Sequence, residues 1–193
     1  AKLGAAGLAA WLRESRIDAV VDATHPFAAM ISASAVAATG EVGVPLLVLR
    51  RPGWVERPGD DWRRVPSIAE AARVLPEAGR RALLTTGRQT LAGFASLDRV
   101  WFLVRAVEPP VPPVPRRMAL LLDRGPFTLD GELALLREHR IDVLVTKDSG
   151  GSAVAAKLDA ARALGVPVVM VDRPAVAGGV QAVPAVADAV AWV

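Results

Sequence analysis

Four short segments hold most of the residues in this chain that could do chemistry. They are Asp22-Ala23-Thr24-His25-Pro26-Phe27, Thr85-Thr86-Gly87-Arg88-Gln89, Asp123-Arg124-Gly125-Pro126-Phe127-Thr128 and Thr146-Lys147-Asp148-Ser149-Gly150-Gly151. Each follows an apolar run, and each combines hydroxyls, glycine or proline, and at least one ionisable group. Thr86-Gly87-Arg88 could offer backbone N–H groups and a guanidinium to a phosphate; equally, Gly87 could serve only a positive-φ turn, with Arg88 solvated. His25, ahead of Pro26, could hydrogen-bond a ligand or transfer a proton, or cap a helix. Lys147 and Asp148 before Ser149-Gly150-Gly151 gather a cation, a carboxylate and an anion-friendly turn within five residues, and a salt-bridged surface turn would look the same. Thr24, Thr86, Thr128 and Ser149 are also residue types that cap helix N-termini. One such loop does not separate capping from binding, but four at equivalent strand ends point to a site.

Composition narrows the chemistry. The 193 residues contain no Cys, which removes thiolate metal sites, disulfides and cysteine nucleophiles, and two His far apart argue against a histidine-built metal centre. There is no Gly-x-Ser-x-Gly elbow for a hydrolase and no phosphate-binding loop ending in Lys-Ser or Lys-Thr for an ATPase or kinase. Net charge is +3, with Arg far exceeding Lys and no basic block, so nucleic acid is not the expected partner. Arginine's fork suits carboxylates and phosphates, so a small polyanion is. No apolar run is long enough to span a bilayer and no signal-peptide pattern opens the chain, so the expectation is a cytoplasmic protein without membrane partners.

The elements that must position these loops are written into the chain twice. Trp11–Asp18 (Trp-Leu-Arg-Glu-Ser-Arg-Ile-Asp) returns as Leu135–Asp142 (Leu-Leu-Arg-Glu-His-Arg-Ile-Asp). Each copy runs into an apolar stretch, a polar loop, an alanine-rich segment, and then Gly-Val-Pro, an apolar strand and Arg-Pro (Gly43–Pro52, Gly165–Pro174). Alternating periodicities predict helices over Leu8–Arg16, Phe27–Ala38, Ile68–Leu75, near Thr90–Phe94 and from about Asp130. Strands are predicted at Ala19–Val21, Pro45–Leu49, Arg81–Thr85, Val100–Ala106 and Met118–Leu122. The tail from Ala175 is read as a loop and a short final helix. Strand–helix alternation of this kind gives right-handed βαβ units and parallel sheets. With 52% hydrophobic residues, mostly Ala, Val and Leu, the chain can bury a proper core. Glu108–Pro115 is the one proline-rich segment and is taken as the linker. The expected organisation is thus an N-terminal lobe over residues 1–107, a linker over 108–115 and a C-terminal lobe over 116–193, with the polar loops facing one ligand cleft between the lobes.

Asp22-Ala-Thr-His-Pro-Phe-Ala28, Thr85-Thr-Gly-Arg-Gln89, Arg124-Gly-Pro-Phe-Thr128 with Gly131-Glu132, and Val145-Thr-Lys-Asp-Ser-Gly-Gly151 with Ala156-Lys157 together resemble the precorrin-6A reductase family of cobalamin biosynthesis. The resemblance runs from about Leu8 to Pro174. It implies an α/β fold of two internally repeated Rossmann-like lobes and reduction of one double bond of precorrin-6A by NADPH, by hydride transfer to the macrocycle with proton delivery to a neighbouring carbon. On that basis Thr24, Thr86, Gly87, Arg88 and Ser149 are candidates to hold NADPH. Arg124, Lys147, Gly150, Gly151 and Lys157 are candidates for the substrate carboxylates, and His25 and Asp148 for the proton donor. No metal ligand is implied. Partners are precorrin-6A itself and neighbouring enzymes of the cobalamin pathway.

The family usually opens with a strand and a glycine-rich loop of the Gly-Gly-Thr-x-Glu-Ala kind, and no such loop occurs in this chain. The expectation is that a segment preceding Ala1 is left out; a divergent form with weakened cofactor binding is the other reading. A non-redox tetrapyrrole-binding protein, or an enzyme similar to uroporphyrinogen-III synthase, remains the alternative in function.

Overall fold

Short runs of Val, Leu and Ala become buried parallel strands because helices cover them, which is why these strands read as continuously apolar rather than alternating. The structure is a computed structural model and describes residues 4–176 and 178–193. Among these, the elements are α1 (Ala5–Glu14), β1 (Val20–Asp22), α2 (Ala29–Val42), β2 (Leu46–Leu49), β3 (Trp62–Val65), α3 (Ile68–Ala78), β4 (Arg81–Leu84), β5 (Trp101–Ala106), β6 (Met118–Leu122), α4 (Leu129–Glu138), β7 (Val143–Lys147), α5 (Ala156–Leu164), β8 (Val168–Val171), β9 (Gln181–Val183) and α6 (Val186–Trp192). Short 3-10 segments occupy Arg88–Phe94 and Ser152–Val154. No helix among the described residues is long and apolar enough to cross a membrane.

The strands form two sheets, ordered β1-β2-β9 and β3-β8-β7-β4-β5-β6, and all the described pairs are parallel. The chain divides accordingly. One unit comprises the described residues up to Pro52 together with Arg173–Val193; the other is Gly53–Asp172. In the first, Ala9 and Leu12 of α1 close against Ala38 of α2. In the second, Leu83, Leu103 and Leu144 of the sheet pack with Leu136 of α4 and Leu158 of α5.

This partition differs from a boundary at 108–115. That segment joins β5 to β6, which lie side by side in one sheet with Phe102 opposite Met118. The real crossings fall at Pro52/Gly53 and Asp172/Arg173, because β9 pairs with β2 rather than with its nearer neighbour β8. Strand pairing, not proline content, sets the boundary.

The internal repeat is reproduced at the level of single hydrogen bonds. Two residues past their ends, α1 and α4 are each followed by a residue at φ 50°, Arg16 and Arg140, and the next N–H reaches back alike, Ile17 to Leu12 O (3.0 Å) and Ile141 to Leu136 O (2.8 Å). A left-handed arginine costs on the order of 1 kcal/mol, so its presence in both copies marks one turn design used twice. α2 and α5 likewise end in left-handed glycines, Gly43 and Gly165, with Val44 N–H to Thr39 O (3.2 Å) and Val166 N–H to Ala161 O (2.9 Å).

Candidate functional site

In the first unit, β1 delivers Asp22 to the start of its loop, and the chain folds over that carboxylate. Thr24 donates to Asp22 Oδ1 from both its hydroxyl (2.6 Å) and its N–H (3.0 Å). Burial pushes the Asp22 carboxyl up, but hydrogen bonds from Ser32 and from the Thr24 hydroxyl and N–H outweigh it and hold the carboxyl below its ordinary value. His25 Nδ1 accepts the Phe27 N–H at 3.2 Å, so a neutral ring carries its proton on Nε2. The Ala28 N–H bonds His25 O (2.7 Å), and this tight turn delays α2 to Ala29, two residues later than the periodicity predicts. A cavity of about 180 Å³ opens here, where Thr24, His25, Ser32 and Arg50 meet apolar walls that include Val36 and Val48. Arg50 is tied by its guanidinium to Pro174 O (2.7 Å).

In the second unit, three strand-end loops lie over β4, β6 and β7. The Thr85 N–H continues the β4–β7 ladder by bonding Val145 O (3.0 Å). Buried Thr86 accepts from the Thr90 hydroxyl (2.8 Å), which also bonds Gly87 O (2.9 Å). Gly87 stands at φ +86°, a conformation that side chains disfavour, and a Cβ there would meet open space, so the backbone and not crowding requires glycine. Arg88, half-exposed, pairs with Glu108 at 2.7 Å. The loop after β6 is joined to the one after β7, since Phe127 N–H bonds Ala153 O (3.3 Å). The Phe127 ring lies 3.9 Å from the Arg105 guanidinium, which pairs inside the protein with both oxygens of Glu132.

The residues after β7 are held from several sides. Asp148 is 5% exposed; its Oδ1 accepts the Trp54 N–H (3.0 Å) and its Oδ2 an Arg64 N–H (2.9 Å). Arg64 also binds Asp172 (Nε to Oδ1, 2.8 Å); desolvation lowers its pKa, but the hydrogen bonds to Asp148 and Asp172 reverse that and raise it. Gly150 and Gly151 both stand at positive φ (62° and 87°). Lys157 is 4% exposed, donates to Val154 O (2.6 Å) and sits 4.6 Å from the Trp54 ring. Burial chiefly, and then the positive charge of Arg105, bring its pKa down to about 7, with Glu132 opposing. Lys147 is half-buried, and burial lowers its pKa as well.

Of the four hydroxyls that could have been spent on capping, only Thr128 caps a helix, accepting the Gly131 N–H of α4 at 3.2 Å. α2 and the two 3-10 turns begin instead at Ala28, Gly87 and Gly151, none with a side-chain cap. Thr24 and His25 belong to the first unit; Thr86, Gly87, Arg88, Arg124, Lys147, Asp148, Ser149, Gly150, Gly151 and Lys157 belong to the second. Arg124 is exposed, its N–H bonding Asp123 Oδ1 (2.7 Å). Lys157 lies inside rather than on a rim, and Asp148 is engaged as an acceptor through both oxygens. Asp22, Ser32, Arg50, Trp54, Arg64 and Arg105 were not singled out by the sequence. Asp22 alone stood inside a flagged loop; the others are ordinary residues of strands, helices or connections, recognisable only by their partners.

Comparison with known proteins gives a consistent picture. The profile of the precorrin-6x reductase CbiJ/CobK family matches residues 1–193. A precorrin-6A reductase of Rhodococcus erythropolis is 54% identical over 190 residues, covering 98% of this chain and 77% of its own length. One of Mycobacterium tuberculosis is 55% identical over 192 residues with the same coverage. A solved structure titled CobK precorrin-6A reductase superposes with a TM-score of 0.91 at 40% identity, covering 98% of this chain and 78% of its own.

Proposed function

This chain belongs to the precorrin-6x reductase CbiJ/CobK family, and from that premise we propose that it reduces precorrin-6A to precorrin-6B in cobalamin biosynthesis, in the cytoplasm, with NADPH as reductant. The observation that carries the reading is the fate of the strand-end hydroxyls: Thr24, Thr86 and Ser149 sit beyond the C-terminal ends of parallel strands, the usual ligand position in such sheets, yet cap no helix there.

The donor set fits a dinucleotide. Thr86, the Gly87 turn and the half-exposed Arg88 offer a hydroxyl, backbone N–H groups and a guanidinium to phosphate, with Ser149 of the same unit as a further hydroxyl contact. When bound, NADPH supplies the hydride that adds to the conjugated macrocycle. The protein's own work is alignment, exclusion of water and proton delivery. Arg124 and Lys147, with the Ser149-Gly150-Gly151 turn, take substrate carboxylates. For the proton, His25 suits better than Asp148: its Nδ1 accepts the Phe27 N–H, so a neutral ring carries its proton on Nε2, whereas Asp148 accepts from Trp54 and Arg64 through both oxygens.

The test is anaerobic incubation of the protein with precorrin-6A and NADPH or NADH, following loss of the reduced nicotinamide absorbance and the product mass. The expected result is a product heavier by one hydride and one proton, formed faster with NADPH. His25→Ala should then lower kcat by roughly 10²- to 10⁴-fold, the usual span for a general acid. No reduction with either nucleotide, while precorrin-6A still binds, would overturn the reading in favour of a non-redox tetrapyrrole protein; turnover of the cobalt-containing macrocycle alone would overturn the metal-free assignment.

A further inference from the structure

The contacts that shape the segment between β7 and α5 converge on one side chain outside it. Trp54, in the connection before β3, donates its backbone N–H to Asp148 Oδ1 (3.0 Å) and its indole Nε1–H to Gly151 O (3.2 Å), and its ring faces the Lys157 ammonium at 4.6 Å. The start and middle of the segment, and the first turn of α5 beyond it, are thus tied to a single residue. Gly53 interlocks from the same side: a Cβ there would stand 2.7 Å from Asp148 Oδ2.

The segment needs such outside support. Gly150 and Gly151 lie at positive φ and carry no side chains that could pack the turn in place. Glycine also gives the unfolded chain the most freedom to lose. A rigid aromatic with a hydrogen-bonding edge supplies both packing and direction at the cost of few rotatable bonds.

We propose that Trp54 is the positioning residue of this turn: its indole N–H on Gly151 and its ring against Lys157 hold Ser149-Gly150-Gly151 in the shape that receives an anionic group of the substrate or the cofactor. Trp54 touches neither ligand and acts through the turn. The proposal rests on the reductase reading. A substrate carboxylate and a cofactor phosphate share the same recognition chemistry, and the assay below tells them apart.

Trp54→Phe deletes the indole N–H while keeping an aromatic face and the backbone N–H; Trp54→Leu deletes the aromatic face too. For Trp54→Phe, the KM of precorrin-6A or the Kd of NADPH, whichever ligand the turn holds, should rise about three- to tenfold, the worth of one hydrogen bond, with kcat within about twofold. Trp54→Leu should raise it further. It should also lower the pH at which the Lys157 ammonium titrates, because a ring face favours the charged lysine. Trp101→Phe, whose ring in β5 stacks under Arg81, should change neither constant. Wild-type constants and pH profile for both Trp54 variants would overturn the proposal while the wild type still reduces precorrin-6A. A wild type that fails to reduce it defeats the reductase reading instead. If Trp54→Leu does not fold, Trp54→Phe decides.

Discussion

Lys157→Met exposes the electrostatics behind the β7–α5 turn in a way that can be worked through to a number. The Lys157 pKa falls from 10.5 to about 7, mainly through burial and then through Arg105, against the pull of Glu132. In the unfolded chain the ordinary value returns, so between about pH 7 and 10.5 the unfolded state holds a proton that the folded state has released. Stability therefore rises with pH across that window: the buried charge penalises the fold fully below about pH 7, and the penalty fades toward the unfolded-state value. At about 1.4 kcal/mol per pH unit, less the half-titration at the lower end, the gain from about pH 7 to pH 9 comes to about 2 kcal/mol. The composition keeps the window quiet, for the chain has no Cys, no Tyr and three lysines, Lys2, Lys147 and Lys157. Urea unfolding of wild type and variant across this range should give a stability difference that shifts by about that amount in favour of the wild type as pH rises. Loss of the bond to Val154 O moves the whole difference by about 1 kcal/mol without changing its slope, and methionine keeps the volume filled. With lysine labelled by carbon-13 at Cε, the resonance missing from the variant should titrate near pH 7. A flat stability difference, or a Lys157 resonance still protonated beyond about pH 9, would refute the reasoning.

Two further outcomes follow from packing. Arg105→Met strands the Glu132 carboxylate, whose side chain is 3% exposed, and should cost about 3–5 kcal/mol in urea unfolding; Arg105→Met/Glu132→Leu should recover most of it, since replacing both partners removes the uncompensated charge. The single variant should also raise the Lys157 pKa, because the repelling cation has gone and the attracting carboxylate remains. Gly53→Ala forces a Cβ to 2.7 Å from Asp148 Oδ2, an atom that Arg64 keeps from swinging away. It should destabilise by about 1–3 kcal/mol by thermal unfolding and raise the same ligand constant as Trp54→Phe; wild-type stability would show that the carboxylate is free to move.

What the sequence discloses about this fold is what nearest neighbours decide. The repeat, the parallel α/β class and the turns at Arg16 and Arg140 are carried by local patterns, and the two copies repeat them bond for bond. β3 escapes because Trp62-Arg63-Arg64-Val65 is half polar, as an edge strand with one neighbour can be. β9 escapes for a similar reason, being three residues at the end of its sheet. The unit boundaries were hidden because the pairing of β9 with β2 spans more than a hundred residues, while the proline-rich segment advertises a break that a crossover between adjacent strands serves just as well.

The loops showed the same division between what residue types reveal and what partners decide. Hydroxyls, glycines and cations marked segments that do lie at the ends of parallel strands, where ligands usually bind in such sheets. Their roles depended on what lay beside them. Asp148 reads as an acid until Arg64 and Trp54, 84 and 94 residues away, are seen to take its two oxygens. Lys157 reads as a surface clamp until its burial beside Arg105 and Trp54 is seen. In both cases the charge that looked available for a ligand is already held by the fold, which makes the turn between them the segment proposed to meet the ligand. Substitutions at Asp148 and Lys157 should therefore alter ligand binding through the shape of Ser149-Gly150-Gly151, whereas His25, whose ring accepts the Phe27 N–H of its own loop, is the position where a substitution should strike turnover itself.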